Sequence, residues 1–345
     1  MADTLPTIGP DISASTIKKW MSGFTDQLFN NNPVIRALKS TSKTQKGLPP
    51  QSRAYRTLDG GEYIRDTALI NETDAAEWII GDDTHDPSFE EVLKPVQWPW
   101  AMIVKTCGIT DYDRSRNSGA SKMVDMWQAR IYEATENMMK ELETRMLGKT
   151  ETGLTGVSGY KKINGLASLT PEDPTSGVVG GLDRVTWTQW RNEYVTTCGS
   201  VGGATAGPAN RAKLVNQWAT CFTNGHGVRW DLMLAGLTAW VAWENYLSGT
   251  GQVLFQKADD PDWGFPVLRF MGAPLLPSSR VAAADQIYGL VTKFLVFAVN
   301  SQMDMEVEDV GGGTGQWIKV RKISHMCQFF ARKFNVMGVS ADWSA

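Results

Sequence analysis

The chain has 345 residues, with 34 basic and 37 acidic side chains and a formal net charge of -3. This balance excludes a protein whose whole surface binds nucleic acid or another polyanion. No apolar run reaches the roughly 18 residues of a membrane helix, and the start of the chain has no signal-peptide pattern, so we expect a soluble protein with no membrane partner, made in the cytoplasm.

A first helix is predicted over residues 11–32, where apolar side chains recur at near-helical spacing until Pro33. Residues 33–65 are then strongly basic, with seven lysines and arginines against two acidic residues. Glycine and two prolines interrupt this basic segment at residues 46–50. Such a segment is typical of an extended arm rather than of a compact unit.

The sign of the charge inverts over residues 72–91, which hold eight acidic residues and no lysine or arginine. A β-hairpin is predicted around this acidic segment, with Tyr63–Ile70 as one strand and Trp98–Ile109 as the returning strand. Its tip is expected near Gly81–Pro87, where turn-forming residues cluster.

The longest predicted helix spans Ser118–Gly148, with apolar residues mostly four apart from Met123 to Met146. This spacing places them on one helical face. Ser118 or Ser121 can cap the start of the helix, and Gly148 suits its end. About 28 residues at 1.5 Å each make a rod of roughly 40 Å. That length is typical of a helix that bridges parts of a molecule, although a core helix of a large domain gives the same pattern.

The middle of the chain mixes helices and strands. Helices are predicted over Leu182–Thr197 and Pro208–Phe222, separated by the turn-rich segment Gly199–Pro208. A strand over Val228–Leu234 is followed by a helix that carries two tryptophans, and then by a short strand region over Phe265–Leu276.

The last fifty residues carry the clearest strand pattern of the chain. Residues 303–308 alternate, with acidic side chains on one face, and residues 318–321 alternate apolar with basic side chains. A third strand is predicted over Cys327–Val336, which leaves His325 between two strands. Acidic and basic strands that pair in an antiparallel hairpin gain roughly 0.2–1 kcal/mol per opposed pair.

No catalytic, cofactor or metal site is predicted. Gly311–Gly315 lacks the lysine and the helix that follow a phosphate loop, so a hairpin loop is the better interpretation. Residues 82–86 have closely spaced oxygen ligands but lack the central glycine and terminal glutamate of a calcium loop, which favours a solvated turn. The four cysteines are far apart in the sequence and predict buried, reduced thiols.

The alternative to a structural protein is a tryptophan-rich carbohydrate-active enzyme, a glycoside hydrolase. The chain has 14 tryptophans, and aromatic rings stack on sugars as well as filling cores and interfaces. Such an enzyme needs two carboxylates roughly 5–9.5 Å apart, and Asp231, Glu244 and Asp262 lie near tryptophans. Nothing in their spacing selects a pair, so core and interface filling is the better interpretation.

The order of these parts resembles the major capsid proteins of tailed bacteriophages, which have the HK-ninety-seven-like fold. Gly60–Ile64 opens what would be the extended loop, and Ser118–Gly148 would be the spine helix. Trp230–Leu234 with the following helix looks like the strand–helix unit of the axial domain. Phe270–Pro277 resembles the turn that these proteins carry before their late strands, and Phe294–Val336 would supply the strands of the peripheral domain.

The resemblance implies an α+β fold in four parts. These are an N-terminal arm (1–58), an extended β-hairpin loop (59–112), a peripheral domain (113–170 and 294–345) with the spine helix 118–148, and an axial domain (171–293). In such a fold the turn-rich segment Gly199–Pro208 would lie at a capsomer axis.

The resemblance also implies a function without catalysis. The chain would assemble with itself into hexamers and pentamers of an icosahedral virion capsid that encloses double-stranded DNA and contacts it non-specifically. A portal protein and a decoration protein would be further partners. A scaffolding protein would be a separate chain, because only about eleven residues precede the first helix.

The opposite charges of the basic and acidic segments predict contacts between neighbouring subunits, because the hairpin of a shell subunit lies over its neighbour. Two independently solvated faces are the alternative. The predicted interface residues are Arg53, Arg56, Arg65, Glu72, Asp74, Glu77, Asp82, Asp83, Glu90 and Glu91.

Overall fold

The computed structural model describes residues 38, 41, 54–70, 92–116, 126–148, 162–202, 206–249, 268–310 and 317–344. The predicted helix over residues 11–32, the acidic segment 72–91 and the glycine-rich run 311–315 lie outside the described residues. The first residues of the longest predicted helix, 118–125, lie outside them too.

The helices confirm three of the predictions. The long helix is present over its described residues, and the predicted helices after Pro208 and around Trp243 are both found. The helices with described bounds are α1 (Asp111–Arg116), α2 (Met126–Leu147), α3 (Leu166–Leu169), α4 (Gly207–Asn224) and α5 (Leu237–Gly249), with 3-10 turns at Thr188–Trp190 and Thr292–Phe294.

The strands of the described residues form two main sheets and three separate two-stranded pairs. In chain order they are β1 (Tyr55–Leu58), β2 (Tyr63–Leu69), β3 (Leu93–Pro99), β4 (Ala101–Thr110), β5 (Val178–Val179), β6 (Leu182–Asp183), β7 (Glu193–Val195), β8 (Gly199–Ser200), β9 (Leu232–Ala235), β10 (Leu268–Phe270), β11 (Ala273–Pro277), β12 (Ile287–Leu290), β13 (Leu295–Asn300), β14 (Glu306–Val310), β15 (Ile318–Ala331), β16 (Gly338–Ser340) and β17 (Trp343–Ser344).

The first sheet is built around β15, which is 14 residues long. β4 pairs antiparallel with one edge of β15, while β14 and β13 pair with the first and second halves of its other edge. β1 adds to β13 in parallel. The two strands predicted before and after His325 are therefore one strand, and the prediction that His325 lies between strands is wrong.

The hairpin of β14 and β15 has the predicted charge pairing. Glu308 lies opposite Lys322 and Asp309 lies opposite Arg321 in the antiparallel register. The Lys322 Nζ is 3.0 Å from a Glu308 carboxylate oxygen, and the Arg321 Nε is 2.6 Å from an Asp309 carboxylate oxygen. The acid-on-base prediction is confirmed.

The apolar stripe of α2 packs on this first sheet. Ala134 and Met138 are buried with Cys107 of β4 and Ile323 of β15 in one apolar cluster. The last turns of α2 enter the main core, where Met146 is fully buried. Full burial of a large apolar side chain contributes about 1.5–3 kcal/mol, so this periodic face fixes where the helix lies.

The second sheet has the strand order β10-β11-β9-β12-β16-β7. Every residue of β9 and β12 is buried, as expected for central strands that are covered on both faces. The predicted strand over Val228–Leu234 begins only at Leu232, and the predicted strand region over Phe265–Leu276 is the antiparallel pair β10 and β11.

Trp230 fills the space between the second sheet and the chain that leads into β16. A Cβ atom at Gly289 would lie 2.4 Å from the indole ring, and one at Gly338 would lie 2.9 Å from it, so glycine makes room for the ring at both positions. The indole Nε1 donates a hydrogen bond to the Val336 carbonyl at 3.0 Å. This tryptophan is a core residue.

The two sheets share one apolar core. An ion pair also joins α2, the helix on the first sheet, to the second sheet, since Glu143 near the end of α2 pairs with Arg280 in the turn after β11. Glu143 is 4% exposed. A buried carboxylate without a partner costs several kcal/mol, so this pair fixes the position of the turn against the helix.

The predicted helix over Leu182–Thr197 is wrong, because these residues form β6, a 3-10 turn and β7. The reason is the buried guanidinium of Arg184, which donates to the carbonyls of Leu169 at 2.5 Å and Trp190 at 3.3 Å. The Trp190 indole in turn donates to the Val179 carbonyl at 3.0 Å. These tertiary hydrogen bonds replace those of a helix.

The predicted partner of the strand at Tyr63 is also wrong in part. β2 pairs with Leu93–Pro99, in a register from Tyr63 opposite Pro99 to Leu69 opposite Leu93. The residues after Trp100 form β4, which leaves the hairpin and joins the first sheet. The predicted returning strand is therefore two strands, because pairing with β2 ends at Pro99 and pairing with the first sheet begins after Trp100.

Candidate assembly surfaces

The β2–β3 pair carries the acidic segment. The last hydrogen bond of this pair joins the Ile70 N–H to the Val92 carbonyl at 3.1 Å, and residues 71–91 connect these two ends. Leu69 and Leu93 at the end of the pair are 68% and 56% exposed. The pair therefore exposes apolar side chains at the end where the chain enters and leaves the acidic segment.

The opposite end of the β2–β3 pair is held against the first sheet. Trp98 is 2% exposed and stacks on Phe330 of β15, with ring centroids 5.2 Å apart. The Gln97 N–H donates to the Gly180 carbonyl at 3.0 Å. Gly180 has φ of 64°, and a Cβ atom there would lie 2.4 Å from the Val96 side chain, so this approach requires glycine.

One carboxylate and two guanidinium groups lie at this attachment. An Asp66 carboxylate oxygen is 2.8 Å from the Arg332 Nε and 4.0 Å from the Arg56 Nη1. Arg56 also lies over the Phe330 ring, 5.0 Å from its centroid. Burial, together with the nearby Arg332, lowers the pKa of Arg56 to about 10, so Arg56 stays charged at neutral pH. The Asp66 carboxylate therefore offsets part of the cost of burying the charged Arg56 guanidinium.

The predicted interface residues fall into two groups. Arg65 is exposed on β2, whereas Arg56 is 5% exposed and contacts Asp66 and Phe330 of its own chain. The remaining predicted interface residues lie outside the described residues: Arg53, Glu72, Asp74, Glu77, Asp82, Asp83, Glu90 and Glu91.

Exposed aromatic and aliphatic side chains gather at the far end of the first sheet, which sequence reasoning did not single out. Trp317 is 80% exposed and Tyr112 is 66% exposed, and the Asp111 N–H bonds the Trp317 carbonyl at 2.9 Å, so the two aromatic residues belong to adjoining segments. Val310 and Ile318 on the neighbouring strands are also exposed. Large exposed aromatics are enriched in protein interfaces, and the abundance of tryptophan in the sequence was the available signal.

Two of the three carboxylates named for the enzyme alternative, Asp231 and Glu244, lie in the described part of the chain. Both carboxylate oxygens of Asp231 accept hydrogen bonds from Thr292, at 2.8 Å from its N–H and 2.5 Å from its hydroxyl. The Thr292 hydroxyl lies 2.9 Å from that of Thr41, so Asp231, Thr292 and Thr41 form one hydrogen-bonded group. Glu244 lies on α5 and is partly buried, and Asp262 lies outside the described residues.

The cysteines are free and buried, as predicted. Burial raises the pKa of all four thiols, to about 11 for Cys198 and about 12 for Cys327, so none is a reactive thiolate at neutral pH. Among the described residues there is no group of three or more possible metal ligands. None of the described helices is both long and apolar enough to span a membrane.

Comparison with known proteins supports the fold through structure rather than sequence. No protein-family model and no curated protein sequence matches the chain. The capsid asymmetric unit of cyanophage A-1(L) has a TM-score of 0.66 and 14% identity, covering 95% of this chain and 97% of that chain. The capsid of the native GTA particle has a TM-score of 0.57 and 12% identity, covering 95% and 96%. The holo-SrpI encapsulin complex of Synechococcus elongatus has a TM-score of 0.53 and 13% identity, covering 92% and 93%.

These similarities extend over nearly the full length of both chains in each comparison. The chain therefore has the α+β, HK-ninety-seven-like fold of phage capsid proteins, as the order of its parts predicted. No finding supports the glycoside hydrolase alternative.

Proposed function

We propose that this chain is the major capsid protein of a tailed bacteriophage, a structural subunit without catalytic activity. It assembles into hexamers and pentamers of an icosahedral shell that encloses double-stranded DNA. The observation that carries this proposal is the full-length structural similarity to the cyanophage capsid subunit. Exposed Trp317 and Tyr112 support it, because a shell subunit needs apolar surface for its neighbours.

The proposal includes partners and location. A portal protein, a separate scaffolding protein and a decoration protein would act with the shell, and packaged DNA would be contacted non-specifically, as the near-neutral charge suggests. The subunit would be made and assembled in the host cytoplasm and end in the virion. The arm, extended loop, peripheral and axial divisions, with the turn-rich segment Gly199–Pro208 at a capsomer axis, belong to the same proposal.

Assembly of the purified full chain tests this function. We expect shells, tubes or capsomer rings by negative-stain electron microscopy, and fast-sedimenting species at high protein concentration, with scaffolding protein supplied if required. A chain that stays a compact monomer under all these conditions contradicts the proposal.

We also propose that the acidic segment 72–91 contacts a neighbouring subunit and that Arg53 and Arg65 contribute basic partners. Arg56 is buried, so its reversal would disturb the fold of the subunit itself and would not report on a contact between subunits. Reversing Glu72, Asp74 and Glu77 to lysine should block assembly and leave the subunit folded, and assembly of the wild type should weaken at 1 M salt, where the screening length is about 3 Å. Normal assembly of the triple variant contradicts this contact.

A further inference from the structure

Two lysines lie around one aromatic ring at an end of the first sheet. Lys293 is in the 3-10 turn before β13, and Lys333 follows the end of β15, which pairs antiparallel with β13. Their Nζ atoms are 5.6 Å and 5.9 Å from the centroid of the Phe294 ring. The two Nζ atoms are therefore no more than 11.5 Å apart, which is the sum of these two distances. A cation within about 6 Å of an aromatic face is attracted to it, so Phe294 holds both charges in one place.

These two lysines differ from other basic residues of the same sheet. In the part of the chain that the structure describes, neither Lys293 nor Lys333 forms an ion pair, and Lys293 is exposed. Farther back on β15, by contrast, Lys322 and Arg321 each have a carboxylate oxygen within 3.0 Å. The positive charge around Phe294 is therefore not balanced by an acidic partner of its own.

Two carboxylates on neighbouring segments are already engaged. Asp231 accepts hydrogen bonds from the N–H and the hydroxyl of Thr292, and Asp66 is shared by Arg332 and Arg56. Together with the two lysines, these side chains are four basic groups and two acidic ones. The surface around this turn thus has an excess of positive charge.

The basic segment of the sequence meets the same turn. Leu38 is fully buried in the main core, and the Thr41 hydroxyl lies 2.9 Å from the Thr292 hydroxyl. Both residues belong to segment 33–65, which has seven basic and two acidic side chains. The fold therefore brings a basic segment to a basic turn. Repulsion between like charges makes this arrangement costly, and a bound polyanion would offset the cost.

We propose that Lys293 and Lys333, held around Phe294, bind phosphate groups of the double-stranded DNA in the shell, and that the surface carrying them faces the interior. Duplex DNA has one negative charge per about 1.7 Å of its axis, so several phosphates lie within reach of the two ammonium groups. Contacts to phosphate carry no sequence information, which fits non-specific binding. The inference rests on the proposed function and deepens it, because it names the residues that contact DNA and the side of the subunit on which they lie.

The salt dependence of DNA binding tests this contact. The unassembled full chain is titrated into a fluorescein-labelled duplex, and its affinity is measured by anisotropy between about 50 and 200 mM salt. Each phosphate contact contributes about -0.9 to the slope of log affinity against log salt concentration, so Lys293→Gln with Lys333→Gln should make the slope shallower by about 1.8. Over this range the wild-type affinity should fall about twelvefold more than that of the double variant, with duplexes of any sequence.

The matched control is Lys105→Gln with Lys319→Gln, which makes the same change of charge at two exposed lysines of the first sheet. This control should keep the wild-type slope. An equal change in both double variants overturns the inference, because net charge alone would then set the affinity, and an unchanged slope in the Lys293 and Lys333 variant overturns it too. If circular dichroism shows that Lys333→Gln does not fold, Lys293→Gln alone should make the slope shallower by about 0.9.

Competition identifies the class of polyanion. Extended polyglutamate has one charge per roughly 3.3 Å, about half the charge density of the duplex, so it should displace labelled DNA less well than unlabelled DNA at equal total charge. Equal competition that also depends on Lys293 and Lys333 would assign the surface to an acidic protein segment and overturn the inference.

The position of the surface in the shell is tested separately. Lys293→Cys introduces an exposed thiol into a chain whose four native cysteines are buried, so it can be labelled with biotin before assembly. Streptavidin is too large to enter a closed shell and should bind the label only after the shells are disrupted, whereas binding to intact shells overturns the inference. Failure of the wild type to assemble under any condition refutes the proposed function, and the titration of the subunit with DNA then still decides whether the two lysines bind phosphate.

Discussion

Gly289→Ala should strongly destabilise the subunit, because the indole ring of Trp230 occupies the space that a side chain would need. A Cβ atom at residue 289 would lie 2.4 Å from two ring carbons, whereas carbon atoms prefer separations of about 3.5–4.0 Å. The ring would have to move by about 1 Å, which also lengthens its hydrogen bond to the Val336 carbonyl, now 3.0 Å.

Two costs then add. Overpacking a core costs about 1–3 kcal/mol, and a lost hydrogen bond costs about 0.5–1.5 kcal/mol. We expect Gly289→Ala to lower the free energy of unfolding of the unassembled subunit by about 2–4 kcal/mol, measured by urea titration followed by circular dichroism. Gly202→Ala is the matched control, since a Cβ atom there would meet no atom of the described residues within 4 Å.

The result that would refute the reasoning is equal stability of the two alanine variants. It would mean that the Trp230 ring is not fixed against β12 and that this tryptophan does not fill the core as the structure describes. A second check is the double variant Gly289→Ala with Trp230→Phe, which should cost less than the sum of the two single changes, because the smaller ring relieves the contact.

Two further predictions concern buried charges. Glu143→Ala should lower the free energy of unfolding by about 3–5 kcal/mol because it leaves Arg280 without its partner, whereas Glu141→Ala on the exposed side of α2 should cost at most about 1 kcal/mol, and equal effects would contradict the buried pair. Burial raises the pKa of the Asp231 carboxyl in the folded chain above its unfolded value of about 3.9. The ionised carboxylate therefore lowers the stability of the fold above the folded pKa, and this loss disappears once the pH falls below the unfolded value. Wild type should therefore gain stability relative to Asp231→Asn as the pH falls from 7 towards 4 in urea titrations, and a constant difference would refute this.

The sequence was sufficient where structure follows a local period. The apolar stripe of α2 recurs every three or four residues, and this spacing alone makes the face that packs on the first sheet. The acidic strand and the basic strand near the C-terminus are joined by a short glycine-rich run, so their pairing could be predicted together with their charges. The buried thiols followed from the wide separation of the cysteines.

The candidate assembly surface was predicted in part. The charge contrast between residues 33–65 and 72–91 is visible in the sequence, but the burial of Arg56 is not, because it depends on Phe330 and Asp66, which come from other strands. The exposed Trp317 had no signal beyond the general abundance of tryptophan. Exposure is a property of the packed molecule and not of a residue type.

By itself the sequence determined the local elements: the long amphipathic helix, the alternating strands, the turns at glycine and proline, and the absence of a recognisable catalytic motif. The tertiary structure decided the partners. β4 follows β3 directly in the chain but pairs with residues 318–327, more than two hundred positions away. The buried Arg184 donates hydrogen bonds to the carbonyls of Leu169 and Trp190 in a region predicted to be one helix. Periodicity predicts which face of a segment is buried. The segment it packs against depends on contacts with distant parts of the chain, and a local sequence pattern does not predict these contacts.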